Sequence, residues 1–223
     1  MVNLQDIQLF IEGNQVLKDI DLQIAKGEFI YIIGKTGSGK SSLMKLLYAD
    51  LPIQRGEAEI AGFNLNNLKQ KDIPFLRRKI GIVFQDFKLL PDRSIYKNLE
   101  FVLKATGWLD AKQIDEKIKD VLNLVGMADY ASKMPHQLSG GQQQSIAIAR
   151  ALLNDPEIIL ADEPTGNLDP QTGGEVMELL LKINATGKTI LMVTHNYAII
   201  LKYPAKTLKI EDGQLFEVVQ KNI

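Results

Sequence analysis

The sequence contains no cysteine. This absence excludes disulfide bonds, thiolate metal sites and cysteine nucleophiles, and it fits a reducing compartment. No apolar run approaches the roughly 20 residues that a membrane-spanning helix needs. The first residues also lack the basic and apolar regions of a signal peptide. We therefore expect a cytoplasmic protein whose contact with a membrane is made only through a partner.

The sequence also lacks an excess of charge of either sign. It has 26 Lys and Arg against 27 Asp and Glu, which gives a formal net charge of -1. Because nucleic-acid-binding proteins usually carry a basic surface, no nucleic-acid partner is expected. The chain of 223 residues is 45% hydrophobic and 24% charged. This composition is typical of a globular protein with one large core, or with a core and a smaller lobe.

The segment Gly34–Ser41 fits the pattern G-x-x-x-x-G-K-[ST], in which backbone N–H groups surround nucleotide phosphates. It follows the apolar run Phe29–Ile33 and leads into a helix-like segment, which is the strand–turn–helix context that the pattern needs. Lys40 is expected to reach the β- and γ-phosphates, and the Ser41 hydroxyl to bind Mg²⁺. The residues predicted to bind the nucleotide here are Gly34, Lys35, Thr36, Gly37, Ser38, Gly39, Lys40, Ser41 and Ser42.

A second segment, Ile158–Glu163, has four apolar residues followed by two carboxylates. A buried strand that ends in this way can bring Asp162 to the metal, directly or through water. Glu163 would then emerge at the strand end, where it could polarise an attacking water as a general base. Acidic residues that close a strand are also common caps and turn formers. Only the combination with Gly34–Ser41 predicts a site of nucleotide hydrolysis.

The periodicity along the chain predicts an α/β core that is interrupted by helices. Ile158–Ala161 and Thr189–Val193 are continuous apolar runs, as expected of strands buried on both faces of a parallel sheet. Lys206–Ile210 and Gln214–Val219 flank Asp212-Gly213 and predict a closing antiparallel hairpin. The predicted boundaries assign residues 1–85 and 156–223 to the core and residues 86–155 to an inserted helical lobe.

The pentapeptide Leu138–Gln142, which reads Leu-Ser-Gly-Gly-Gln, occurs together with the Gly34–Ser41 loop in one family. On these two segments the chain resembles the ATP-binding cassette (ABC) family. The resemblance implies one ABC ATPase domain over residues 1–223, with a P-loop NTPase (RecA-like) core, an N-terminal antiparallel β subdomain and an inserted α-helical lobe. It also implies that ATP and water are converted to ADP and phosphate, with Mg²⁺ as the metal.

Further family motifs occur in the family's order. Gln85 matches the Q-loop glutamine, Asp169 ends the D-loop motif Asn-Leu-Asp, and His195 matches the switch histidine. A lone Gln or His is more often structural, so the order and the spacing carry these assignments. The resemblance implies that the catalytic residues are Glu163, His195 and Gln85, and that the metal ligands are Ser41, Gln85 and Asp162. It further implies that Ser139, Gly140 and Gly141 donate to the γ-phosphate bound by the opposite subunit, and that Gln142 and Asp169 also bind nucleotide.

The residue that contacts the base of the nucleotide is less clearly assigned. The family stacks an aromatic residue near the N-terminus on adenine, and Phe10 is the candidate here, although Ile11 could occupy that register. The chain departs from many relatives at Ser145, where they carry a basic residue that supports the helical lobe.

The segment Glu163–Asp169 resembles the lipoprotein-release, macrolide-export and cell-division branch, and Phe84–Ser94 is similar to cell-division ATPases. This resemblance implies an integral membrane permease as partner, an ATP-dependent homodimer, and a peripheral location on the inner face of the cell membrane. The alternatives are the ATPase of a lipoprotein or macrolide exporter, a DNA-repair-type ABC ATPase, and a non-catalytic nucleotide-gated module. DNA-repair ATPases need a long coiled coil between the two nucleotide motifs, and residues 42–137 contain no sustained heptad repeat.

Overall fold

A computed structural model describes residues 1–218 as two β-sheets with helices around them. The smaller sheet is antiparallel and has the order β2-β1-β4-β5. Its strands are β1 (Val2–Ile11), β2 (Asn14–Ile24), β4 (Arg55–Ile60) and β5 (Phe63–Asn64). The larger sheet has the order β10-β9-β3-β8-β7-β6. Its strands are β3 (Phe29–Ile33), β6 (Ile80–Val83), β7 (Ile158–Asp162), β8 (Thr189–Val193), β9 (Lys206–Glu211) and β10 (Gln214–Val218).

Seven α-helices accompany these strands in the described part of the chain. They are α1 (Lys40–Leu47), α2 (Ile73–Lys79), α3 (Ile95–Ala105), α4 (Ala111–Leu124), α5 (Gly140–Leu152), α6 (Pro170–Ala185) and α7 (Tyr197–Lys202). Side chains cap several of them. Ser94 accepts a hydrogen bond from the first turn of α3, and Asp110 accepts two from the first turn of α4. Short 3₁₀ turns at Ala128–Tyr130 and Pro135–Gln137 connect α4 to α5.

Strands β3, β7 and β8 of the larger sheet are buried on both faces, as their apolar runs predict. Along β3, Ile30 and Ile32 belong to one core cluster, whereas Tyr31 and Ile33 belong to the other. This alternation follows from the two-residue period of a strand. The antiparallel sheet and α1 cover the first face, and α3 to α6 cover the second.

The closing hairpin is confirmed, because β10 pairs antiparallel with β9. The last residue of the predicted strand, Val219, lies outside the described residues. The predicted division into a core and a lobe at residues 85 and 156 stays a prediction. No helix among residues 1–218 is long and apolar enough to cross a membrane.

The segment between β6 and α3 is not helical, unlike most of the stretch that follows it. Leu89 in this segment is half-buried and packs against the cluster that holds α3, α4 and α5 together. The neighbouring Leu90 is fixed through its backbone, since its N–H donates to Asn98 Oδ1 at 2.7 Å and its carbonyl accepts from Asn98 Nδ2 at 3.1 Å. The packing of Leu89 therefore makes it part of the helical region's core.

Candidate functional site

The topology of the larger sheet brings the candidate residues to one edge. Strands β3, β8, β7 and β6 run parallel, so their carboxyl ends meet at the same edge of the sheet. The phosphate loop follows β3, Glu163 follows β7, His195 comes two residues after β8, and Gln85 two residues after β6. Residues that are between 32 and 161 positions apart in sequence therefore contribute to one site by the order of the strands alone.

The phosphate loop needs glycine where the backbone turns tightly. Gly34 has φ 152°, and a Cβ there would overlap the carbonyl oxygen of Ile210. Gly39 has φ 106°, and a Cβ there would lie 2.8 Å from Leu17 Cδ2. A larger side chain would clash at either position. Glycine therefore lets the loop backbone pass close to the neighbouring strands and lead into the start of α1.

Lys40, the first residue of α1, is buried and held by the loop that precedes it. Its Nζ donates to the carbonyl oxygens of Gly34 and Lys35, both at 2.8 Å. Burial lowers the pKa of the Lys40 ammonium, while the carboxylates of Glu163 and Asp162 act in the opposite direction. The ammonium thus lies between the loop and the two acidic residues that end β7.

Asp162 ends β7 and is largely shielded from solvent. Burial raises the pKa of its carboxyl group, the neighbouring Glu163 raises it further, and Lys40 and Lys45 lower it. A partly desolvated carboxylate can bind a divalent cation, because the cation replaces the missing solvation.

Glu163 adopts a left-handed backbone conformation, with φ 49°. Its N–H donates to the carbonyl of Val193 at 2.9 Å, and its carbonyl accepts from the N–H of Gly166 at 3.0 Å. Non-glycine residues in this conformation are strained and occur often at functional sites. The two backbone bonds hold this conformation and direct the carboxylate toward His195.

The Glu163 carboxylate and His195 form a close pair. Glu163 Oε1 lies 2.7 Å from His195 Nδ1, and the backbone N–H of His195 donates to Oε2 at 3.3 Å. The Glu163 side chain is 13% exposed, whereas that of His195 is 67% exposed. The imidazole therefore extends into the open space above a fixed carboxylate, where it could contact a bound group.

Gln85 is tied to the loop that follows Glu163. Its Nε2 donates to Asn167 Oδ1 at 3.3 Å, and its carbonyl accepts from Asn167 Nδ2 at 3.2 Å. Gly166 allows this approach, since a Cβ there would lie 3.1 Å from Gln85 Nε2. The end of β6 and the loop after β7 are thereby connected.

A cavity of about 410 Å³ brings most of these residues together. The predicted residues that line it are Thr36, Gly37, Gly39, Lys40, Ser41, Ser42, Gln85, Asp162, Glu163 and His195. Val16 also lines this cavity and was missed from the sequence, where it reads as an ordinary strand residue. Gly34, Lys35 and Ser38 belong to the same loop without lining the cavity.

The Ser139–Gln142 segment begins α5 with a reciprocal cap. Ser139 Oγ accepts from the Gln142 N–H at 3.3 Å, and Gln142 Oε1 accepts from the Ser139 N–H at 2.9 Å. A Cβ on Gly141 would overlap Thr172 Cγ2, so glycine lets α5 lie against the start of α6. Ser139, Gly141 and Gln142 line a second cavity, of about 620 Å³, that Lys40 and Glu163 do not line. Within one chain the structure therefore does not bring these residues, or Gly140 between them, to the phosphate loop.

Asp169 caps α6. Its Oδ1 accepts from the N–H groups of Gln171 and Thr172, both at 3.1 Å. Hydrogen bonds from Thr172 lower the pKa of the Asp169 carboxyl group. Like the start of α5, it lies outside the cavity of the phosphate loop.

Phe10 does not line the cavity of the phosphate loop. Gln54 hydrogen-bonds both its N–H, at 2.7 Å, and its carbonyl, at 2.9 Å, and the Arg55 guanidinium lies 5.8 Å from the ring centre. The β1–β2 register shifts between Leu9 and Phe10, so the strand does not alternate regularly here, and Ile11 is 38% exposed. A contact between Phe10 and adenine stays a prediction, with Ile11 as the alternative.

Comparisons with known proteins identify the family of the chain. The model of the ABC transporter family matches residues 17–166. The chain is 42% identical to the cell division ATP-binding protein FtsE of Streptococcus pneumoniae over 216 residues, which cover 96% of this chain and 94% of the relative. It is 42% identical to FtsE of Bacillus subtilis, covering 96% and 93%, and 38% identical to FtsE of Escherichia coli, covering 92% of each chain.

Solved structures give the same result for the fold. The dimeric structure of a post-hydrolysis state of the ATP-binding cassette MJ0796 bound to ADP and Pi matches over 100% of both chains, with a TM-score of 0.85 and 34% identity. The structure of cbiO1 from Clostridium perfringens, part of an ABC transporter complex, matches 96% of this chain and 86% of that one, with a TM-score of 0.89 and 30% identity. These matches confirm the predicted α/β cassette fold with its antiparallel β subdomain. The chain therefore belongs to the ABC transporter family, as an ATP-binding subunit that hydrolyses ATP to ADP and phosphate.

Proposed function

We propose that the chain is the FtsE-like ATPase of a cell-division complex. It would bind an integral membrane partner, an FtsX-like permease, at the inner face of the cell membrane and use ATP turnover to change the partner's conformation, thereby controlling cell-wall hydrolysis. The observation that carries this proposal is the similarity to FtsE of three bacteria over nearly the whole length of each chain. Attachment to the membrane would be through the partner alone.

The residues of the phosphate cavity fit ATP with Mg²⁺. Mg²⁺ is usually held by one or two carboxylates together with substrate phosphates and water. The Ser41 hydroxyl, the Asp162 carboxylate and the Gln85 amide line one cavity and supply such a donor set. When bound, the metal would neutralise charge on the phosphates.

The catalytic roles follow from the same geometry. Glu163, fixed by its backbone and by His195, would accept a proton from the attacking water. Lys40 would contact the β- and γ-phosphates, and the exposed imidazole of His195 would contact the γ-phosphate. Asp162 would hold the metal, directly or through water.

A second copy of the chain would complete each site. The phosphate loop and the Ser139–Gln142 segment line separate cavities of one chain, and the capped start of α5 offers N–H groups suited to an anion. A head-to-tail dimer would place the start of α5 of one chain over the phosphate loop of the other, so that two ATP molecules lie in the interface. Similarity to a dimeric ATP-binding cassette supports this arrangement.

The membrane partner would bind a groove between α2 and α3. The groove has a volume of about 500 Å³, and its lining includes Ile73, Ile82, Phe84 and Val102. Phe75 and Phe101, next in sequence to lining residues, are 54% and 49% exposed. A groove with apolar residues in its lining, and with exposed aromatic residues next to these in sequence, fits an amphipathic helix of a partner.

Replacing Phe101 with Glu is therefore expected to release the chain from its membrane partner without unfolding it. In the Glu163→Gln background, affinity purification from membranes should recover an FtsX-like permease, and Phe101→Glu should reduce the yield about tenfold or more, since aromatic anchors dominate such interfaces. Leu109→Glu, at a residue that is 95% exposed, is the matched control and should keep the yield. Recovery of a lipoprotein- or macrolide-exporter permease would contradict the FtsE-like assignment.

Leu89→Asp separates partner binding from packing in the same assay. Because Leu89 packs on the core of the helical region, a half-buried charge there should lower the free energy of unfolding by about 1 kcal/mol or more. Phe101→Glu should leave the melting temperature unchanged. The groove would be the wrong surface if Phe101→Glu melted early and still recovered the permease.

A further inference from the structure

Two consecutive residues after Gln85 have a strained backbone. Phe87 has φ 57° and Lys88 has φ 52°. Bulky residues rarely adopt this left-handed conformation, and they keep it only where their surroundings fix it. Neither residue is a glycine, so the segment must be held in this shape by contacts from elsewhere in the chain.

Arg150, near the end of α5, supplies these contacts. Its Nη2 donates to the carbonyl of Phe87 at 2.7 Å, and its Nη1 donates to the carbonyl of Lys88 at 2.5 Å. The planar guanidinium can serve both carbonyls at once, which the single ammonium of a lysine does less well. Burial lowers the pKa of Arg150, and nearby Asp86 raises it, so the guanidinium depends on the two carbonyls for its solvation.

The same segment also touches the other end of α5. A Cβ built on Gly140 would lie 3.8 Å from Phe87 Cζ, so the Phe87 ring lies against the first residue of the helix. Gly140 and Arg150 are ten residues apart, which corresponds to about 15 Å along a helix. Contacts from both ends of α5 therefore converge on Phe87 and the adjacent Lys88 carbonyl, so one short segment is tied to the helix at two positions along its length.

We propose that Phe87 and Arg150 are positioning residues that make the loop after Gln85 and α5 move as one body. Gln85 lines the phosphate cavity of its own chain, and α5 carries the residues that would face the ATP of a second copy. Through this link, the position of Gln85 in one site would set the orientation in which Ser139 is presented to the other site. The inference rests on the proposed ATP-bridged dimer.

The link also reaches the surface proposed for the membrane partner. Arg150 and Phe84 both line the groove between α2 and α3. A partner helix in this groove would therefore press on the guanidinium that holds the strained turn. Movement of the partner and orientation of α5 would be coupled through the same side chain.

The test uses Phe87→Gly in the full chain, with Lys88→Gly as its matched control. Both changes relieve a left-handed residue, because glycine adopts this conformation without strain. Only Phe87→Gly removes the ring that contacts Gly140, while both keep the carbonyls that Arg150 binds. In the Glu163→Gln background, Phe87→Gly should weaken the dimer formed with Mg-ATP about tenfold or more, and Lys88→Gly should leave it within about twofold.

Arg150→Lys and Arg150→Ala probe the other contact. The lysine variant should lose part of the dimer affinity and the alanine variant most of it, while ATP affinity of the single chain stays within about twofold. Amide hydrogen exchange of the single chain gives a second measurement that needs no dimer. Phe87→Gly and Arg150→Lys should each speed exchange at residues 139–145, and Lys88→Gly should not.

The outcomes distinguish the link from the dimer on which it rests. If Glu163→Gln itself does not dimerise with Mg-ATP, the proposed dimer is wrong. Amide exchange at residues 139–145 of Phe87→Gly and Arg150→Lys then still tests the link within the single chain. If Phe87→Gly and Arg150→Lys both dimerise like the parent chain and leave exchange at residues 139–145 unchanged, the link is refuted.

Discussion

The Glu163→Gln variant is expected to bind ATP with near-normal affinity and to lose most of its hydrolysis. Glutamine keeps the size of the side chain but cannot accept a proton from the attacking water. Removing a single general base typically lowers the rate by about 10²–10⁴-fold. Binding should persist, since the phosphate loop and Lys40 do not depend on this carboxylate for their hydrogen bonds.

The measurement compares binding and turnover on one preparation. Nucleotide affinity is obtained by fluorescence titration and hydrolysis by phosphate release, with the membrane partner present if the chain alone is slow. Glu116→Gln, at an exposed residue of α4, is the matched control and should have normal activity. Near-normal hydrolysis by Glu163→Gln would remove Glu163 from the role of general base.

The same variant is also expected to form a dimer with Mg-ATP and to be a monomer with ADP. In the proposed arrangement the γ-phosphate bridges two chains, because it contacts the phosphate loop of one and the start of α5 of the other. ADP lacks the γ-phosphate, and hydrolysis removes it from ATP. A variant that binds ATP without hydrolysing it should therefore accumulate as the dimer. Light scattering at several protein concentrations gives the mass with each nucleotide. A dimer that forms equally with ADP or without nucleotide would contradict the bridge.

Much of the fold could be predicted from the sequence because its signals are local. The apolar runs of β3, β7 and β8 indicate strands buried on both faces, and the two faces of β3 indeed belong to different core clusters. Asp212-Gly213 indicates the hairpin that closes the described sheet. The phosphate loop could be predicted because glycine, lysine and serine at fixed spacing have few other uses after a strand.

The remaining features depend on contacts between distant segments. The left-handed conformation of Glu163 and its hydrogen bond to His195 require that β7 lies beside β8. No short stretch of the sequence contains both strands. Phe10 is predicted from its aromatic side chain and its position near the N-terminus, yet its backbone is hydrogen-bonded by Gln54, which is 44 residues away. Strain at Phe87 could not be predicted either, since nothing in its residue type favours a left-handed turn and its partner Arg150 reads as an ordinary helical residue.

The central claim is that each ATP site is built from two chains, and mixing two inactive variants tests it most directly. Lys40→Met damages the phosphate loop, Ser139→Leu damages the start of α5, and each variant alone should have little activity. In a mixed dimer one site carries both lesions and the other carries neither. An equal mixture should therefore recover about a quarter of the wild-type hydrolysis rate, because half of the dimers are mixed and each has one intact site. If the mixture stays as inactive as its components, although mixed dimers form, the two-chain site is wrong.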